Sequence, residues 1–279
     1  MSARGVAVRV GLGRGWTEFR QRALDVGGLV GELWPWVIGA FALHALSGRT
    51  MGDTALDVGL QGIPGLLAVS VVYTGLLGLS LALVTDQSDG TLLRMKAVPN
   101  GTIGYLVGTV LGRAVLCVET ALILLVLSAW LFEDVQVGRV VTWLFLPGVL
   151  VLGLLAILPL GVVVGAAFRS RASLGLVTLP VMGLLAISGV FYPLASLPRF
   201  LQWVGELFPV YWLGLGLRWA LLPSQAVLAE VDGSWRHLEM VGVLGAWAVV
   251  GLVAAPVMLR RMARREPGST VRPDAAGQG

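Results

Sequence analysis

Val84-Thr-Asp-Gln-Ser-Asp-Gly-Thr-Leu-Leu-Arg-Met-Lys-Ala-Val-Pro-Asn-Gly-Thr-Ile-Gly-Tyr105 is a polar island between two apolar segments, each long enough to cross a bilayer. Hydrocarbon offers no partners to such groups, so the island must lie in water at a membrane face. Asp89 is placed to cap a brief helix by accepting from the backbone N–H of Thr91 or Leu92, and Pro99 ends it by disfavouring helical geometry at Val98. The spacing predicts a two-turn helix within 85–101 lying on the membrane. Leu92, Met95 and Val98 share one side, and Arg94 and Lys96 lie elsewhere on its surface. Such an element suits docking into a partner.

Composition places the rest of the chain in the membrane. Hydrophobic residues make up 56% and charged residues 13%, with a mean hydropathy of +0.84, against about 25% charged in soluble domains. Glycine supplies 38 of 279 residues, about twice its usual share, and small residues let membrane helices approach closely. The single cysteine, Cys117, lies in an apolar segment, which excludes a disulfide framework or a cysteine-based metal site. Lys96 is the only lysine among twenty basic residues. That bias points to a GC-rich bacterial source, and it excludes a Gly-x-x-x-x-Gly-Lys-Ser/Thr phosphate loop from this chain. The Arg- and Gly-rich start has no cleavable apolar leader, so the first span is expected to act as the insertion signal.

An all-α integral membrane fold follows, with six spans near 30–46, 63–84, 103–131, 143–168, 174–192 and 240–259 inside a transmembrane domain over 30–259. Pro35, Pro147, Pro159 and Pro180 lie within spans and predict kinks. The lead, 1–29, ends in an amphipathic interfacial helix carrying Trp16, Phe19 and Arg20, and 260–279 reads as a basic, disordered tail. With both termini cytoplasmic, the inner side holds fourteen basic residues, among them Arg94, Lys96, Arg169, Arg171 and the Arg260-Arg-Met-Ala-Arg-Arg265 run. The outer side then holds only Arg49, Arg139, Arg199, Arg218 and Arg236. The polar island is therefore expected on the cytoplasmic side of a multi-pass bacterial plasma-membrane protein. Topology explains the basic termini, and nothing in them resembles a nucleic-acid platform.

Between spans five and six, 194–222 predicts two re-entrant helices too short to cross. Ser196 is placed as a cap with Pro198 just inside, and Leu197, Phe200, Leu201, Val204, Leu207 and Phe208 recur at helical spacing. Trp203, Tyr211, Trp212 and Trp219 suit the depth of the outer interface. Ionisable residues inside a span cost at least about 2.5–3.5 kcal/mol, which marks Arg113 and Glu119. Arg113 is expected to snorkel to headgroups. Glu119 lies two turns beyond the Gly104, Gly108, Gly112 ladder and should face another helix. There it would form an interhelical hydrogen bond or serve substrate or proton passage. His44 and His237 are far apart and lack a carboxylate cluster, so no metal ligand set is read.

Together these features resemble the permease subunit of an ABC exporter of the type-2 class, which includes bacterial drug, antibiotic and lipid exporters. The resemblance rests on Asp86, Asp89, Gly90, Thr91, Leu92, Arg94 and Pro99 after the second span. It rests also on Ser188-Gly-Val-Phe-Tyr-Pro-Leu-Ala-Ser-Leu-Pro-Arg-Phe-Leu-Gln-Trp203, which includes Phe191 and Pro193 and ends the fifth span. One departure is Gln87 and Ser88, where the family often carries charges. The resemblance implies that 85–101 is a coupling helix seated in a separate nucleotide-binding ATPase, which binds the ATP and Mg. It also implies that the interfacial helix touches that ATPase, and that a second permease, identical or paralogous, completes the working unit. This chain would then do no chemistry and bind no cofactor itself. Its cargo would be a hydrophobic or amphipathic small molecule moved outward along the interface between the two permeases, with membrane lipid as a further partner. The alternative is a proton-coupled secondary transporter using Glu119, for which no inverted repeat is evident; a membrane-embedded enzyme lacks a convergent carboxylate or histidine set.

Overall fold

The computed structural model describes residues 26–49, 57–91, 94, 101–168 and 170–265, and among them every regular element is helical. The helices are α1 Val26–Ala45, α2 Val58–Ser88, α3 Gly101–Leu131, α4 Val140–Ala167, α5 Arg171–Ile187, α6 Arg199–Leu207, α7 Pro209–Leu221 and α8 His237–Arg265. Short 3₁₀ turns occupy Leu194–Ser196, Ser224–Ala229 and Val231–Gly233. The interfacial helix with Trp16, Phe19 and Arg20 lies outside the described residues, as do 266–279.

Among the described residues four helices are long and apolar enough to cross a membrane: Val58–Ser88, Gly104–Leu131, Thr142–Ala167 and His237–Leu259. α1, 20 residues with Glu32 and Pro35 inside, and α5, only 17 residues, stand where two further spans were expected but are not among the four. α5 ends at Ile187 rather than 192, because Ser188 leaves helical geometry and Gly189 adopts φ +65, a left-handed conformation that glycine enters freely. At the other extreme α8 runs on through Arg260, Arg261, Arg264 and Arg265, so the basic run continues a helix instead of beginning a loose tail. The prolines at 35, 147, 159 and 180 all remain inside continuous helices.

The centre of the bundle is α2, α4 and α7. α7 packs on both α2 and α4, and α8 lies along α4. Midway along α2 the helix widens into a π-helical turn, Val72–Leu77, where Gly78 N–H donates to Tyr73 O. This turn meets α4 at glycine. A methyl group at Gly161 would stand 2.9 Å from the carbonyl oxygens of both Gly75 and Leu76. The Ser80 hydroxyl, which lies 2.7 Å from Leu76 O and 2.9 Å from Gly161 O, spans the same contact. Small residues at such crossings replace the hydrophobic drive that lipid cannot give.

Cross-links fix which helix ends lie together. Tyr105 Oη donates to Asp86, and Gln87 Nε2 donates to Gly165 O at 3.0 Å, which gathers the end of α2, the start of α3 and the end of α4. At the opposite face Thr142 Oγ1 donates to Ala220 O at 2.8 Å and Gln136 N–H to Leu221 O at 2.9 Å. Asp86, Asp89 and Arg94 thus lie at one face of the bundle and the Trp219 end of α7 at the other.

Because a Cβ at Gly161 cannot be accommodated without moving backbone, Gly161→Ala should lower stability by about 1–3 kcal/mol. Gly148→Ala, on the same helix with nothing within 4 Å of its added carbon, should leave it unchanged. Thermal unfolding midpoints of the detergent-solubilised protein check the pair.

Candidate functional site

At the Asp89 end, α2 closes by a glycine turn. Asp89 is its C-cap, with N–H donating to Thr85 O at 2.9 Å, and Gly90 follows at φ +68 with N–H to Gln87 O at 3.3 Å. A left-handed glycine after the last helical residue is the usual way to satisfy final carbonyls. Helical geometry resumes at Thr91, and Arg94 N–H donates to Gly90 O at 3.2 Å. Asp89 is thus not the N-cap of the island helix, as expected from sequence. Its backbone is spent ending α2, and Gly90 supplies the first carbonyl of the new turn. Arg94 reaches back, Nη2 donating to Asp89 O at 3.1 Å, where its charge also suits the negative end of the α2 dipole. Asp86 is held by Tyr105. Leu92, Met95, Lys96 and Pro99 lie outside the described residues.

Inside the bundle, Arg113, which was expected to snorkel toward headgroups, has a protein partner. It pairs with Glu32 of α1 at 3.6 Å, and Gly78 of α2 makes room for its guanidinium. Glu32 was not singled out from sequence, although an acidic residue within an apolar span was the available signal. Gly104, Gly108 and Gly112 are buried as the ladder predicts, but the contact continues through Leu116, Thr120 and Leu124. That is an i, i+4 ridge, which drifts by about 40° per step around a helix. The drift leaves Glu119 at the edge, half-buried, and it forms no ion pair among the described residues.

The 194–222 region forms two short helices, with changed details. Ser196 caps nothing in α6; its hydroxyl donates to Pro193 O at 2.8 Å, and the N-cap is Pro198. Leu197 and Leu201 are half-buried, while Phe200, Trp203 and Leu207 are 71%, 63% and 64% exposed, an apolar stripe facing outward; Phe191 is also exposed and Pro193 half-buried. Tyr211 and Trp212 are not interfacial rings. α7 is buried on nearly every side, and both lie within the core, as expected of a helix apolar all round.

Two ion pairs that sequence reasoning missed hold this cap. Arg218 and Glu230, 2% and 5% exposed, are joined by a bidentate contact along one guanidinium edge, Nε to Oε1 and Nη2 to Oε2 at 3.2 Å, while Nη1 donates to Gly189 O at 3.1 Å. One arginine therefore ties α7, the glycine turn after α5 and the loop before α8. Arg236 pairs with Glu206 of α6 at 2.5 Å and lies 4.8 Å from the Trp212 ring centre.

A family model described as ABC-2 family transporter protein matches residues 53–256, from just before α2 to within α8. A search of curated proteins finds no match.

Truncating Glu230 would leave a buried guanidinium uncompensated, so Glu230→Ala should destabilise the protein by about 3–5 kcal/mol. The paired replacement Arg218→Met with Glu230→Leu should recover much of that loss, as read from unfolding midpoints in detergent.

Proposed function

This chain belongs to the ABC-2 family of transporter proteins, and from that membership we propose that it is the permease of an ATP-driven exporter for a hydrophobic or amphipathic small molecule. As a family member it is a multi-pass membrane component of an ABC transport system and not itself an enzyme. The motor is a separate ATPase, since a chain whose only lysine is Lys96 cannot carry a phosphate loop. In this reading α1 and α5 complete six spans, both termini are cytoplasmic, and a second permease, identical or paralogous, forms the other half of a lipid-surrounded path. The apolarity of the helices favours a drug-like, antibiotic or lipid-like cargo over an ion.

The single observation that carries the coupling reading is the turn at Gly90. Here the end of α2 is tied to α3 through Asp86 and Tyr105 and to α4 through Gln87 and Gly165. A partner pressing on the chain just beyond Gly90 would therefore act on three helices at once.

The test is reconstitution with the partner ATPase in proteoliposomes. Gly90→Val adds atoms into open space but forces a β-branched residue to φ +68, and Arg94→Glu reverses the charge behind Asp89. Both variants should insert and assemble normally while transport falls at least tenfold and ATP hydrolysis persists. Unchanged transport in both would overturn the coupling role of the turn.

A further inference from the structure

Between α5 and α8, over one face of α4, lies a cleft of about 600 Å³. Ile157 of α4 and Val72 of the π-helical turn form its floor, Leu184 and Trp247 its two walls, and Phe208 with Pro209, at the joint of α6 and α7, one end. α5 packs on the last part of α2 and on α6, whereas α8 packs on α4 and α7, so the two walls belong to differently supported helices. Gly183, also on the rim, is exposed and has nothing within 4 Å of where a Cβ would stand. The cleft is therefore open on the side of α5.

Every residue lining it is apolar. The one lining side chain able to hydrogen-bond, Trp247, already donates Nε1–H to Leu207 O at 2.9 Å. A polar solute entering here would lose its water and gain no partner. An empty cleft would forfeit dispersion contacts along all of its walls. The cleft lies along the second half of α4, Ile157 to Val164, within one of the helices long and apolar enough to cross a membrane, so the medium at the opening is taken as hydrocarbon.

We propose that this cleft binds one hydrocarbon chain of a bilayer lipid, which enters sideways between α5 and α8. The chain completes the packing that Gly183 leaves open and holds α5 away from α8. The inference needs only the membrane location of α4 and α8, so its failure would leave the transport reading untouched.

Native mass spectrometry of the full chain, purified in mild detergent, tests it. A chain held in the cleft survives extraction, whereas loosely surrounding lipid is washed away. The wild-type protein should retain one phospholipid of the host membrane per chain. Gly183→Phe, which fills the opening, should reduce retention at least tenfold. Gly175→Phe, eight residues earlier on α5 and equally open, should retain the lipid. If Gly183→Phe does not elute as folded protein, Leu184→Trp fills the same space from the same wall and should show the same loss. Absence of a retained lipid from the wild type, or equal retention in the filled variants, overturns the proposal.

Discussion

The structure depends on how closely α2 and α4 approach. Lipid tails are as apolar as leucine, so burying apolar side chains between helices gains little over leaving them in the bilayer, and adhesion must come from tight contact and hydrogen bonds. At Gly161 the α4 backbone lies against the carbonyl oxygens of Gly75 and Leu76, and one turn on, Gly165 lies against Leu83 and Ser80. The π-helical turn at Val72–Leu77 presents those carbonyls. Ser80, with its hydroxyl between Leu76 O and Gly161 O, adds a polar contact where water is absent. Once this pair is fixed, the angle between its members receives α7, and α4 offers its outer side to α8.

Charge inside the bundle obeys a second constraint. A buried ion pair adds little net stability, because desolvation offsets attraction, but it strongly penalises arrangements that separate its partners. Arg113 with Glu32 sets α1 against α3, and Arg218 with Glu230 sets α7 against the loop that leads into α8. Arg218 does more, since its remaining edge holds the carbonyl of Gly189. The point where α5 stops is thereby fixed to the core, although α5 itself is sparsely packed.

The apolar lengths in the sequence located the neighbourhoods of the described helices, the two short ones within 194–222 included, because the need to satisfy backbone groups in hydrocarbon acts locally. What was illegible depended on partners distant in the chain. Gly189 could be known as a stop only from the Arg218 contact and the close packing of Leu194 beneath it. Tyr211 and Trp212 read as interfacial because aromatic composition does not distinguish a membrane surface from a protein core. The Arg218–Glu230 pair closes across the end of α7 and the 3₁₀ turn Ser224–Ala229, a return that no periodicity encodes. At the candidate coupling site the residue types were legible, but the assignment of Asp89 as an N-cap failed because a preceding helix had prior claim on its backbone.

These contacts divide the bundle into unequal parts. α2, α4, α7 and α8 share glycine crossings, a buried ion pair and continuous apolar contact. α5 begins in a self-contained Ser170–Ser173 capping box and meets the rest through the end of α2 and through α6. The end of α2 before Gly90 belongs to that block, fixed to α4 through Gly165 and to α3 through Tyr105, and the block resists internal shear because its glycine contacts leave no slack. The compliant joint is the one to α5, where an open glycine and an apolar cleft replace interlocked backbone. If the bundle changes shape in use, close packing confines the change to that seam, with the Arg218 contact to Gly189 as the fixed point at its far end.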